Sequence, residues 1–158
     1  MNSPLLNGDV GPPTLAMVRP RTYGCDVGQR LTLEQVRAAI VTSWSIETCD
    51  PVDVPDWADS NPARGQCGVT ALVVNDIFGG ELLISEVHLT DGYRQGFHYW
   101  NRLPSGEEVD LTREQFSSDE IVQAPQTVNR PTGPPRRCAE QYNLLRHRVF
   151  EALGSRCK

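Results

Sequence analysis

Phe97-His98-Tyr99-Trp100-Asn101-Arg102-Leu103-Pro104-Ser105-Gly106-Glu107-Glu108-Val109-Asp110-Leu111-Thr112 is the stretch on which the fold turns. Two strand-like runs, Phe97 to Arg102 and Glu107 to Thr112, flank a short turn. Pro104 at the first loop position and Gly106 at the third predict a three-residue loop, a type I turn followed by a left-handed glycine. Closing the hairpin this way pairs Leu103 with Glu107, so Trp100 opposes Asp110 and His98 opposes Thr112. Side chains alternate faces along a strand, which puts His98, Trp100, Asp110 and Thr112 on one face. His98 and Asp110 become diagonal neighbours within reach of a hydrogen bond. A two-residue loop would shift the register by one step and separate them.

Upstream, Cys67-Gly68-Val69-Thr70-Ala71-Leu72-Val73-Val74-Asn75-Asp76-Ile77-Phe78 is apolar on nearly every side, then meets Gly79-Gly80. An all-round apolar helix is a buried one, and the glycine pair supplies a left-handed stop. The rival reading is a buried strand, because valine and isoleucine favour sheets. Length and the glycine stop favour the helix. Glu81 to Val87 reads as a strand, with Asp91-Gly92 as the turn after it.

Before this block, Thr32 and Gln35 form a capping box, and Leu33, Val36, Ile40, Val41 and Trp44 recur at helical spacing. Thr48 to Gly65 carries Pro51, Pro55 and Pro62 and reads as a surface loop ending beside Cys67. After the hairpin, a brief helix is expected through Glu120 to Val122. Four prolines, Pro125, Pro131, Pro134 and Pro135, then keep the chain extended to about Cys138. Ala139 to Leu153 is an amphipathic helix with Tyr142, Leu145, Val149 and Leu153 inward and Gly154 closing it. Residues 1–30 read as an irregular arm and 31–158 as one domain. The fold class is α+β, a buried helix carrying cysteine at its N-terminus packed on a small antiparallel sheet.

With 158 residues, a net charge of -5 and a pI near 5.2, the chain lacks the basic face that nucleic acid requires. No stretch approaches the roughly 20 apolar residues that span a bilayer. Nothing at the start resembles a secretory signal, so the expected compartment is the cytoplasm. The five cysteines, Cys25, Cys49, Cys67, Cys138 and Cys157, are scattered without a Cys-x-x-Cys pair, a poor disulfide framework and a poor zinc site.

Cys67 differs from the other four because it falls in the first turn of the buried helix. There, free backbone N–H groups and the positive end of the helix dipole favour a thiolate nucleophile. His98 is placed to take the thiol proton, and Asp110 to fix the imidazole tautomer. Trp100 shields that pair from water. Gln66 is the oxyanion donor by residue type, with Asn61 or a group near Trp44 as alternatives. His88 reads as a loop residue and His147 as a solvated one. Asp50, Asp53, Asp56 and Asp59 read as a solvated acidic loop. No metal-ligand spacing and no cofactor motif is present.

Gly65-x-Cys67, His98-x-Trp100 and Asp110-x-Thr112, in that order, resemble the core of transglutaminase-like proteins. In that fold a helix-start cysteine faces a histidine and an aspartate on adjacent antiparallel strands, and papain-like enzymes and arylamine acetyltransferases use a related arrangement. Longer blocks resemble the small bacterial YunG-like family: Arg64-Gly65-Gln66-Cys67, Thr70-Ala71-Leu72-Val73-Val74, Phe78-Gly79-Gly80-Glu81, His98-Tyr99-Trp100-Asn101 and Glu108-Val109-Asp110-Leu111-Thr112-Arg113. The triad resemblance implies an acyl-thioester enzyme. The expectation is therefore a cysteine-dependent hydrolase or acyltransferase acting on an amide, ester or thioester of a small molecule or short peptide-like substrate. The alternative is a catalytically idle binding or regulatory module on the same fold.

Overall fold

The computed structural model describes residues 30 to 155. The arm over residues 1–29, with Cys25, and the last three residues, with Cys157, lie outside them. Three helices, α1 (Leu33–Ser43), α2 (Cys67–Phe78) and α3 (Ala139–Ser155), accompany five strands. The strands are β1 (Glu81–Leu89), β2 (Arg94–Arg102), β3 (Glu108–Val109), β4 (Glu120–Val122) and β5 (Gln126–Val128). The architecture is α+β with one small antiparallel sheet, in the order β3-β2-β1-β4. β5 also pairs with β1, through Leu82 to Ile84, while β4 takes Val87 to Leu89.

The capping box opens α1 as expected, Thr32 accepting from the Gln35 N–H and Gln35 from the Thr32 N–H. Val36 and Ile40 are fully buried, but Val41 is exposed and Ala39 takes the inward position instead. α3 presents Tyr142, Leu145, Val149 and Leu153 to the same core. Its helix runs through Gly154 to Ser155, so Gly154 does not close it. α2 lies against the sheet, and the Asn101 side-chain amide donates to the Ala71 carbonyl at 2.9 Å, tying the helix to β2. Gly79 and Gly80 end α2 with φ of 72° and 83°. A Cβ on Gly80 would lie 2.2 Å from the Arg102 carbonyl oxygen, so the helix can turn into β1 only with no side chain there.

The decisive hairpin closes as its residues dictate. Leu103 N–H donates to Glu107 at 2.8 Å, Gly106 is left-handed at φ 89°, and Asn101 pairs with Val109. β3 is only two residues long, however, and stops before Asp110. The reason is local: Asp110 Oδ1 accepts the Thr112 N–H at 3.1 Å, a side-chain turn that takes the chain out of the ladder. Two further expectations are corrected. Glu120 to Val122 is a strand rather than a helix, held by pairing with β1. His88 belongs to β1 and sits 2.7 Å from Glu86, two residues back along the strand, rather than in a loop.

No helix among the described residues is long and apolar enough to cross a membrane. Leu145→Ala is expected to lower the unfolding free energy by about 2–5 kcal/mol through the cavity it leaves. Gly80→Ala is expected to be destabilising as well, from both φ and the Arg102 carbonyl. Urea midpoints at unchanged slope check both.

Candidate active site

The hairpin brings His98 and Asp110 together. The His98 Nε2 to Asp110 Oδ2 distance is 2.7 Å, and the imidazole is fully buried. The other carboxylate oxygen, Oδ1, accepts from both the Thr112 N–H and its hydroxyl, at 3.1 and 3.3 Å. Asp110 is thus pinned from two sides, with one oxygen left for the ring. An ionised carboxylate only accepts, so Nε2 is the ring nitrogen that donates to Asp110. Trp100 stacks on the imidazole with centroids 5.2 Å apart, and Phe116 meets it edge-on at 4.8 Å. Both rings cover the imidazole. The Trp100 indole N–H donates to Glu108 at 3.1 Å.

The Nδ1 side of the ring faces a residue that motif reading passed over. Gln115 Nε2 lies 3.3 Å from Nδ1, a long polar contact. Gln115 is buried, and Asn61 fixes its backbone by donating to the Gln115 carbonyl at 3.0 Å. Its signal in the sequence was weak, an amide a few residues beyond the Asp110 turn.

Cys67 is the first residue of α2, as expected. Its sulfur accepts the backbone N–H groups of Tyr99 and Gly68. The Tyr99 contact follows from the length of β3. Leu103 and Asn101 face β3 through their backbones, and alternation turns the Tyr99 N–H to the same side. Continued pairing would set Leu111 opposite Tyr99, but β3 has already ended at Val109. The open edge position is taken by the thiol. The Tyr99 side chain, opposite in direction to His98, packs on the core that α2 builds, and the proximity of Cys67 adds to the burial that raises its phenol pKa.

Among the described residues no hydrogen bond joins Cys67 to His98: the Tyr99 N–H meets the sulfur, while the His98 side chain points to the sheet face opposite the one that α2 covers. Burial pushes the Cys67 thiol from 9.0 up to about 11, the two N–H donors opposing it and Asp53 and Asp110 reinforcing it. The resting sulfur is therefore a thiol, not the thiolate expected from its place at a helix start. Loss of water outweighs the helix N-terminus here.

The other expected donors are engaged elsewhere. Gln66 is fully buried and donates to the Ser45 carbonyl at 2.9 Å, leaving its side-chain oxygen without a partner. The Trp44 indole N–H donates to the Thr70 hydroxyl at 2.9 Å. The acidic loop is not simply solvated. Asp53 Oδ1 lies 3.3 Å from Arg64, whose other end reaches Glu120 at 2.7 Å, and Asp50 pairs with Arg137 at 2.8 Å. Burial raises the Asp53 pKa against the pull of Arg64. His147 stands on the outer face of α3, 3.4 Å from Glu151. No cluster of metal-ligating side chains occurs among the described residues.

The family described as YunG protein matches this chain over residues 32–154. A Bacillus subtilis (strain 168) protein described as "Uncharacterized protein YunG" is 34% identical over 86 residues. That alignment covers 54% of this chain and 64% of the relative, so the chain spans less than two thirds of the relative's length. No solved structure matches the chain.

The raised thiol carries a pH signature. The unfolded chain releases the Cys67 proton near 9.0 and the native protein near 11, so the native state holds more protons in between. Stability is expected to fall as pH rises from 9.0 toward 11, less steeply in Cys67→Ser, as read from urea unfolding across that range. Iodoacetamide labelling of Cys67 in the resting protein is expected to keep rising beyond pH 9, as peptide mapping would show.

Proposed function

The chain belongs to the YunG family, and we propose that its member here is a cysteine-dependent acyl-transfer enzyme built on a transglutaminase-like or papain-like core. Cys67 is the nucleophile, His98 the base and Asp110 the group that orients it. The observation that carries this reading is the buried His98–Asp110 bond at 2.7 Å, one residue along β2 from the Tyr99 N–H that holds the Cys67 sulfur. A fully buried imidazole needs a reason to be there, and a base oriented by a carboxylate supplies one.

In this reaction Sγ bonds to the carbonyl carbon of an amide, ester or thioester while its proton passes to His98 Nδ1. The oxyanion meets free N–H groups of the first turn of α2. The carbonyl to leaving-group bond then breaks, and the imidazolium returns the proton to the departing nitrogen, oxygen or sulfur. Water or an amine attacks the thioester and restores the thiol. Because the resting sulfur is protonated, its deprotonation accompanies attack, as with a serine nucleophile, and Gln115 has to release Nδ1 as the substrate settles. The substrate is a small molecule or short peptide-like compound, in a cytoplasmic setting, and the chemistry draws on these side chains without a cofactor.

Two observations favour a second reading, an idle binding module: the raised thiol pKa and the missing Cys67–His98 hydrogen bond. p-Nitrophenyl acetate separates the two. An acyl adduct mapped to Cys67 by mass spectrometry is expected, absent in Cys67→Ser and formed about 10²–10⁴-fold more slowly in His98→Ala. Absence of the adduct, or a rate indifferent to His98→Ala, would put the binding module first.

A further inference from the structure

A cavity of 490 Å³ opens beside Cys67 and runs between α2 and the sheet. That is many times the roughly 30 Å³ that one water molecule occupies in the liquid, so the space suits a chain of atoms rather than a single solvent molecule. On the helix side its wall is the first turns of α2, Cys67, Gly68, Val69, Ala71 and Leu72. On the sheet side Leu82, Val87, Phe97, Tyr99 and Val128 complete it. Leu72, Leu82 and Val87 are buried, so the cavity reaches the hydrophobic interior.

Charged groups line it too, but each is already paired. Arg64 holds Asp53 and Glu120, and Arg137 holds Asp50. A charged substrate group lying here would have to break one of these pairs, whereas an uncharged one leaves them intact; the neutral amides Gln95, Gln115 and Asn129 also reach the wall.

A glycine on the wall points the same way. Gly68 sits in α2, where glycine weakens the element. A Cβ there would meet nothing within 4 Å, and its φ is not positive. Gly65, also on the wall, is different: its φ is 69° and a Cβ would strike the Cys49 sulfur at 2.5 Å. Protein packing therefore demands Gly65 but not Gly68. What Gly68 provides is open volume next to the nucleophile.

Resting on the reading of Cys67 as nucleophile, we propose that this cavity is an acyl pocket selecting an uncharged, apolar acyl group of several carbons, held as a thioester on Cys67. The enclosed, apolar side suits the part that stays attached through both half-reactions. The leaving group departs, and water or an amine enters, on the open side. As the acyl carbonyl bonds to Sγ, the leaving group takes the proton that His98 accepted from the thiol.

The test uses p-nitrophenyl esters from acetate to decanoate, with one leaving group throughout, reading p-nitrophenol release and the mass of the Cys67 peptide. Each methylene buried in the pocket is expected to raise the acylation rate constant per mole of ester by roughly fourfold until the cavity is full. Gly68→Phe, which directs a ring into the open volume, is expected to lower the octanoate-to-acetate ratio at least tenfold, with circular dichroism reporting that the variant is folded. Gly68→Val, a smaller addition at the same place, supplies the same reading should Gly68→Phe not fold. Acylation of Cys67 with no preference for chain length would overturn the acyl pocket while leaving the nucleophile in place. A preference that survives both substitutions would overturn it as well. No adduct from any ester would overturn the pocket and the enzyme reading together.

Discussion

The register of the β2–β3 hairpin is the constraint from which the site follows. A left-handed Gly106 and the Leu103–Glu107 hydrogen bond set which residue of one strand faces which of the other. Slipping that pairing by one residue would send His98 and Asp110 to opposite faces of the sheet. With the register as it stands, the carboxylate meets the imidazole and Thr112 occupies its second oxygen. Trp100, two residues along, covers the ring. Four side chains far less informative singly become one buried unit because a three-residue turn aligns them.

Much of this was legible in the sequence because it depends on local rules. Turn residues set the hairpin, a capping box opened α1, and paired glycines ended α2. The inward set of α3 could be read from spacing alone. The misreadings share a different cause. Glu120 to Val122 has no periodicity of its own, and only pairing with Val87 to Leu89, some thirty residues earlier, makes it a strand. His88 reads as a loop residue on local signals because the length of β1 depends on the same distant partners. Gln115 reaches His98 through a short connection that no motif describes. Its neighbour Asn61, read from the sequence as an oxyanion donor, instead braces the backbone of that connection.

The thiol was the subtler case. A helix N-terminus stabilises an anion, and that rule is local and legible. The opposing effect, removal of water by surrounding elements, is a property of the assembled fold. Here the second prevails, and a protonated sulfur results. Arg64 shows the same competition settled the other way. Burial works against its charge, yet Glu120 and Asp53 hold the guanidinium firmly ionised and so tie the loop before α2 to β4. The site thus stands between a neutral nucleophile and a closed set of ion pairs.

The packing of α1 against α3 has a consequence for how the chain reaches its native state. Val36 and Ile40 of the first described helix share one core cluster with Leu145 and Val149 of the last. During synthesis, α1, α2 and the sheet emerge before α3, and no earlier element among the described residues takes its place in that cluster. The core is completed only when the final described helix has left the ribosome and docked. Folding of this unit accordingly awaits α3, and nascent chains stalled before it leave uncovered the apolar face that α3 packs on.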